Sequence, residues 1–160
     1  MPRFVLGWRH TMVTDKSNGN SGLHEKTLET CIMMEITFPG GVQVNAHYKD
    51  FAIATDQPGK NGGQNSAPSP FDLFLASLGT CAGFFALRFC QQRELPTTGM
   101  RLELTNERNT ETKRLDRVAI TLHLPDGFPE KYRSAIIRAT DQCAVKKALL
   151  DPPEIELITL

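Results

Sequence analysis

The chain has 160 residues, 40% of them hydrophobic and 22% charged, with eighteen basic residues against eighteen acidic ones. That is the length and composition of one globular domain able to bury roughly two thirds of its unfolded surface, which excludes a multidomain machine and extensive disorder. A formal charge of zero provides no field to gather a polyanion, so neither a nucleic acid nor an anionic membrane is expected as a partner.

The opening stretch Met1–Arg9 is too short in apolar residues for a secretory signal before Arg9 and His10 interrupt it, and a cytoplasmic, reducing location is expected. Asp15–Gly22 is small, polar and turn-forming, and the text becomes regular only after Met33-Met34. Residues 1–33 read as an N-terminal extension and 34–160 as the domain. Alternatively, Phe4–Val13 and Thr27–Phe38 pair as a hairpin across that turn.

Strands are expected from Glu35, through Val42–His47 and over Phe51–Thr55, with Pro39-Gly40-Gly41 as a turn. Asp56–Ser69 is a loop dense in Gly, Pro, Asn and Ser. Ser69-Pro70-Phe71-Asp72 then carries three concurring helix-start signals: a hydroxyl N-cap, proline in the first turn and an acid three residues after the cap. The helix should run to about Arg93, and Leu73–Leu87 carries no charge. This stretch falls short of the roughly twenty residues a bilayer core demands, and Asp72 and Arg88 bracket it, so it reads as a buried central helix whose excess apolar surface a second subunit covers.

A hairpin follows, Met100–Leu104 with Val118–Leu124. A second helix opens at Asp126-Gly127-Phe128-Pro129, with Tyr132, Ile136, Ala139, Cys143 and Lys147 at helical spacing, and ends before Pro152-Pro153. Ile155–Leu160 reads as a closing strand. No internal repeat is evident.

The four cysteines, Cys31, Cys81, Cys90 and Cys143, form no CxxC pair, so no zinc knuckle or thioredoxin-type motif is written here. Cys81 and Cys90 are nine positions apart on one helix, about 900° at roughly 100° per residue, and face opposite ways. Cys143 comes from the second helix and could approach Cys81 if the two helices pack side by side; both thiols could equally be buried apolar fillers. A reactive Cys81 must be ionised, and it sits too deep in its helix for the N-terminus to help, so it calls for a cation. His10, His24, His47 and His123 are scattered without metal-ligand spacing, Gly59–Gly63 lacks the order of a phosphate loop, and Ser69 and Ser77 have no companions for hydrolysis.

Ser66-Ala67-Pro68-Ser69-Pro70-Phe71-Asp72-Leu73 leading into Leu78-Gly79-Thr80-Cys81-Ala82 resembles the first-cysteine motif of the OsmC/Ohr superfamily, the osmotically inducible and organic hydroperoxide resistance proteins. Cys143-Ala144-Val145-Lys146-Lys147-Ala148-Leu149 resembles its second. The resemblance implies an α+β fold, OsmC-like, with curved antiparallel sheets wrapped around two central cysteine-bearing helices in an intertwined homodimer. It implies thiol-dependent reduction of organic hydroperoxides in a stress response: Cys81 attacks, Cys143 resolves, an external dithiol restores both, and no metal or organic cofactor takes part. Phe74, Phe84, Phe85 and Phe89 are candidates to line an apolar substrate pocket.

Two departures stand out. The arginine that holds the first thiolate in hydroperoxide-reducing members has no counterpart between Glu35 and Leu87, and Phe71 occupies the place of an acid, with Asp72 one position later. Asp72 and Arg88 are the candidate supporting residues, with Lys49, Lys60 and Arg9 as other cations. The competing reading is a non-catalytic protein that keeps the fold and binds an apolar small ligand.

Overall fold

The computed structural model describes residues 33–159. The chain divides into two units, Met1–Met33 and Met34–Leu160, and all the elements below belong to the second. The expected hairpin arm Phe4–Val13, along with Arg9, His10, His24 and Cys31, lies outside the described residues.

Three antiparallel strands come first: β1 (Glu35–Gly40), β2 (Gln43–Tyr48) and β3 (Phe51–Thr55), in the order β1-β2-β3. The β1–β2 turn uses Gly40 and Gly41, both at positive φ, a conformation that costs glycine nothing. The β1–β2 register is irregular between Thr37 and Gly40, where Pro39 has no N–H to give the ladder. Ile36, Phe38, Phe51 and Ile53 of this sheet are exposed.

The loop after β3 is organised by a residue that its composition does not flag. Asp56 is 2% exposed, and its carboxylate accepts the backbone N–H groups of Gln57, Gln64 and Ser66 and the Ser66 hydroxyl at 2.7–3.0 Å. Gly63 lies so close to the facing strand of the loop that a Cβ there would meet the Gln57 carbonyl oxygen at 1.8 Å. Donors from Ser66, first through its N–H and then its hydroxyl, and from Gln57 pull the Asp56 carboxyl down to about 2.

Helix α1 (Pro70–Gln91) begins as its sequence dictates. Ser69 Oγ accepts the Asp72 N–H at 3.2 Å, and the Asp72 carboxylate accepts the Ser69 N–H at 2.9 Å, closing a capping box. Strands β4 (Arg101–Arg108) and β5 (Leu115–His123) form a separate two-stranded antiparallel sheet. Their alternation turns Leu102 and Leu104 of β4, and Val118 and Ile120 of β5, onto α1.

The second helix is two. Helix α2 (Glu130–Thr140) stops short of Cys143, and α3 (Ala144–Leu150) restarts after it. The last turn of α2 tightens, with the Gln142 N–H donating to Ala139 O and the Cys143 N–H to Thr140 O. Cys143 itself takes φ −46° and ψ 117°, which redirects the chain. The expectation of a single helix carrying Cys143 is therefore corrected: the helical spacing of Ile136, Ala139, Cys143 and Lys147 runs across a corner. The closing strand is corrected too. Residues 152–159 form no strand, and Ile155, Leu157 and Ile158 are exposed; a strand requires a ladder partner, and none of the described strands supplies it.

Two buried clusters hold the unit together. One joins Ala86, Phe89 and Cys90 of α1 to Phe128 and Ile136; the other joins Leu78 and Ala82 to Cys143, with Cys81, Val145 and the β4–β5 leucines, valine and isoleucine against it. No residue of β1–β3 belongs to either. Within one chain the β4–β5 sheet packs on α1, with Leu102 and Leu104 of β4 and Val118 and Ile120 of β5 against it. Of the most apolar part of α1, 28% is buried; Phe84 and Leu87 are exposed.

Candidate functional site

Helix α1 carries Cys81 on the same face as Phe74 and Leu78: at 100° per residue, positions 74, 78 and 81 fall within about 60° of one another. The corner between α2 and α3 delivers Cys143 to that face. Cys143 is 1% exposed and packs on Leu78 and Ala82, with its sulfur 3.7 Å from Leu78 O. Its sulfur also accepts the Lys146 N–H at 3.4 Å, so a cysteine fills the N-cap position that Ser, Thr, Asp or Asn ordinarily takes. An Asp141–Lys146 ion pair and a Lys147–Gln142 hydrogen bond brace the corner from outside.

The two thiols meet. Burial pushes the Cys81 thiol up, but the Val145 N–H, the Cys143 thiol and the Ala144 N–H all direct hydrogen-bonding dipoles at its sulfur and outweigh it, so its pKa lies below the ordinary thiol value. Cys143 moves the other way: burial raises it, and the neighbouring Cys81 sulfur raises it further against the opposing Lys146 N–H. The pair thus has one partly exposed thiol shifted down and one buried thiol shifted up. Cys90, on the opposite side of α1, is buried with its sulfur 4.0 Å from Met100 Sδ, and burial raises its pKa.

Among the described residues no cationic side chain contributes to the Cys81 shift. Arg88 bonds Gln91 Oε1 at 3.3 Å and lines a shallow hollow with Phe84, Phe85 and Phe89. Lys49 lies over the Tyr48 ring, and Lys60 is exposed on the 3₁₀ turn Gly59–Asn61. None of the three is among the groups that set the Cys81 pKa. Asp72 serves the helix start: its carboxyl is lowered first by the Ser69 hydroxyl, then by the Ser69 N–H, with Arg108 adding attraction. Arg108 also stacks 3.9 Å over Phe71, an aromatic filling the place of the expected acid.

The candidate aromatic pocket is divided. Phe74 lines a cavity of about 390 Å³ together with Leu78, Ala82, Val118, Ile120, Leu122, Ile137, Leu149 and Leu150 of the surrounding elements, and Cys143 and Lys146 stand at its polar end. Phe84 and Phe85 belong to the Arg88 hollow instead. Among the described residues no group of three or more His, Cys, Asp or Glu side chains is placed to hold a metal ion. His47 bonds Thr37 and His123 faces Glu103, both as parts of strand pairs.

The α+β unit thus brings Cys81 and Cys143 together from distant parts of the chain. Residues 63–158 match the model of the OsmC-like protein family, and the chain belongs to that family. Solved structures share the fold. A candidate osmotic stress induced and detoxification response protein from Psychrobacter arcticus superposes with a TM-score of 0.65 at 22% identity, covering 76% of this chain and 90% of that one. For an organic hydroperoxide resistance protein OsmC from Legionella pneumophila, also described as a predicted redox protein, the values are 0.54, 20%, 78% and 91%. For a candidate organic hydroperoxide resistance protein from Vibrio cholerae, with captopril bound in one of its active sites, they are 0.51, 18%, 79% and 90%. No curated protein matches the chain.

Proposed function

We propose that the protein is a thiol-dependent peroxidase that reduces organic hydroperoxides in the cytoplasm as part of a stress response, working as a homodimer without a metal or organic cofactor. The Cys81 thiolate attacks the outer peroxide oxygen; the O–O bond breaks, and the alkoxide leaves as an alcohol after taking a proton. The sulfenic acid at Cys81 then condenses with the Cys143 thiol, releasing water and forming a disulfide before further oxidation can occur. An external dithiol returns both sulfurs to thiols by exchange.

The observation that carries this reading is the packing of partly exposed Cys81 against the buried cluster that holds Cys143; the Cys81 pKa lies below and the Cys143 pKa above the ordinary value. A thiolate is the nucleophile, and a partner kept protonated beside it is poised to wait for the sulfenic acid. Names of fold neighbours, among them organic hydroperoxide resistance proteins, support the same chemistry. The homodimer is supported by the family resemblance and by the apolar surface left open on α1 and β1–β3.

The test is a titration of the reduced protein with cumene hydroperoxide, counting free thiols. Loss of two thiols per peroxide, abolished in Cys81→Ser, is expected; unchanged thiols would remove the enzyme reading. One observation favours a second reading, a non-catalytic binder of an apolar small ligand: most of the cavity lining is aliphatic, and Cys143 rather than Cys81 reaches its wall. In that case a fluorescent fatty acid binds with the same affinity to wild type and Cys81→Ser, and the thiols stay intact.

A further inference from the structure

Helix α3 is held at its start by sulfur. Its first intrahelical bond is Lys147 N–H to Cys143 O, which leaves the N–H groups of Ala144, Val145 and Lys146 without helical partners. Lys146 donates to Cys143 Sγ, and Cys81 packs with Val145 against the same cluster as Cys143. The helix has seven residues, none of them buried and none in its first turn acidic. Seven residues are well below the roughly twelve at which an isolated helix becomes even marginal in water, so α3 depends on its cap and on its packing.

We infer that the redox state of the Cys81–Cys143 pair controls the order of α3, with the disulfide releasing the helix that the two reduced sulfurs hold. A thiolate is a charged acceptor facing the positive end of a helix, and a disulfide sulfur carries no charge and accepts hydrogen bonds poorly. Helix α3 contributes Lys146, Leu149 and Leu150 to the cavity wall, so its loosening opens that wall. The consequence is access: Cys143 is sealed in the reduced protein, and an external dithiol must reach the disulfide to reduce it. This inference rests on the proposed pairing of Cys81 with Cys143, though not on the identity of the oxidant.

The test oxidises the full-length protein with diamide, an azodicarboxamide whose N=N bond takes up the two hydrogens as two S–H bonds give way to one S–S bond. The disulfide is mapped by peptide mass spectrometry, and amide hydrogen exchange is then compared across residues 144–150 and, as an internal reference, across α2. Exchange in α3 is expected to quicken about fivefold or more, the factor equivalent to the roughly 1 kcal/mol that an N-cap supplies, with α2 unchanged and the effect reversed by dithiothreitol. A mapped Cys81–Cys143 disulfide with unchanged exchange in α3, or equal quickening in α2, overturns the inference. Failure of diamide to form that disulfide overturns both the inference and the proposed pair. A disulfide that forms with diamide and loosens α3, but does not form with cumene hydroperoxide, leaves the inference standing and removes only the peroxidase reading.

Discussion

Cys143 caps the short helix α3 by accepting the Lys146 N–H at 3.4 Å, and Cys81 and Val145 pack against the same buried cluster. In the proposed reaction one corner of the chain therefore supplies both the resolving thiol and the groups that lower the Cys81 pKa, in place of the arginine that the resemblance leads one to expect.

The first prediction concerns this acidification. The rate of Cys81 alkylation by iodoacetamide should rise with pH through a midpoint below the ordinary thiol value. Cys143→Ala removes a donor to the thiolate, so the midpoint should move up; Cys143→Ser keeps a donor and should move it less. Lys49→Ala, Lys60→Ala and Arg88→Ala should leave it in place. A large upward move in Arg88→Ala would return the role to a cation.

The start of α1 was legible in the sequence because every group in it is local: Ser69, Pro70 and Asp72 signal one another over three residues. Strands β4 and β5 were legible because alternation records which face meets α1, and β1 to β3 because turn residues bound short runs of strand-forming ones. The corner at Cys143 was not. Periodicity cannot distinguish a continuous helix from two helices joined by a turn that nearly preserves phase, and cysteine is not an N-cap residue by statistics. Nor could a search for cations find the groups that hold Cys81, because backbone N–H groups leave no mark in the residue types. Asp56 escaped for a third reason: its partners, up to ten residues away, converge only once the loop has folded.

Asp72 should prove to be a folding residue. Ser69→Ala removes an N-cap acceptor and should cost about 1 kcal/mol of stability. Asp72→Asn should lower the melting temperature as well, because the other half of the box is weakened. Neither change should alter the pH midpoint of Cys81 alkylation, and a shift there would place Asp72 in the thiol chemistry after all.

Asp56 gives the protein an acid-sensitive loop. Its folded carboxyl titrates near 2, below the ordinary value of 3.8, so the folded state holds its proton less tightly than the unfolded chain. The resulting stabilisation is fully present above the unfolded value and is lost as the pH falls through about 2. Thermal melts between pH 5 and pH 2 should show a decline that is reduced in Asp56→Asn. At neutral pH, Asp56→Ala strands the amides of Gln57, Gln64 and Ser66 and should lower Tm by roughly 5 °C or more. A melt indistinguishable from wild type would deny the carboxylate its organising role.

The division of the phenylalanines predicts a division of effects. Phe74 faces the cavity beside Cys143, so Phe74→Ala should raise KM for the bulky cumene hydroperoxide about tenfold, in keeping with the 1.5–3 kcal/mol that burying a large apolar side chain provides. For the smaller tert-butyl hydroperoxide the change should be slight. Phe84→Ala and Phe85→Ala, in the other hollow, should leave both KM values near wild type. Equal effects from all three would mean that substrate lies along the whole length of α1.

Phe84 is 55% exposed and Leu87 38% exposed on a helix with no charge between Asp72 and Arg88. Ile36, Phe38, Phe51 and Ile53 of the separate three-stranded sheet are open as well. Two uncovered apolar surfaces on one chain exceed what a monomer ordinarily leaves in water, and a second copy can cover both at once if each sheet lies on the partner's helix. Sedimentation at micromolar concentration should therefore give a dimer. Phe84→Asp or Leu87→Asp places a charge in the buried contact and should shift the protein to monomer with a lower Tm, the two changes occurring together because folding and association are linked. Thr105→Asp, exposed on β4, provides the control and should change neither. A wild-type chain that sediments as a stable monomer, with Phe84→Asp melting at the same temperature, would show that the open face of α1 needs no partner.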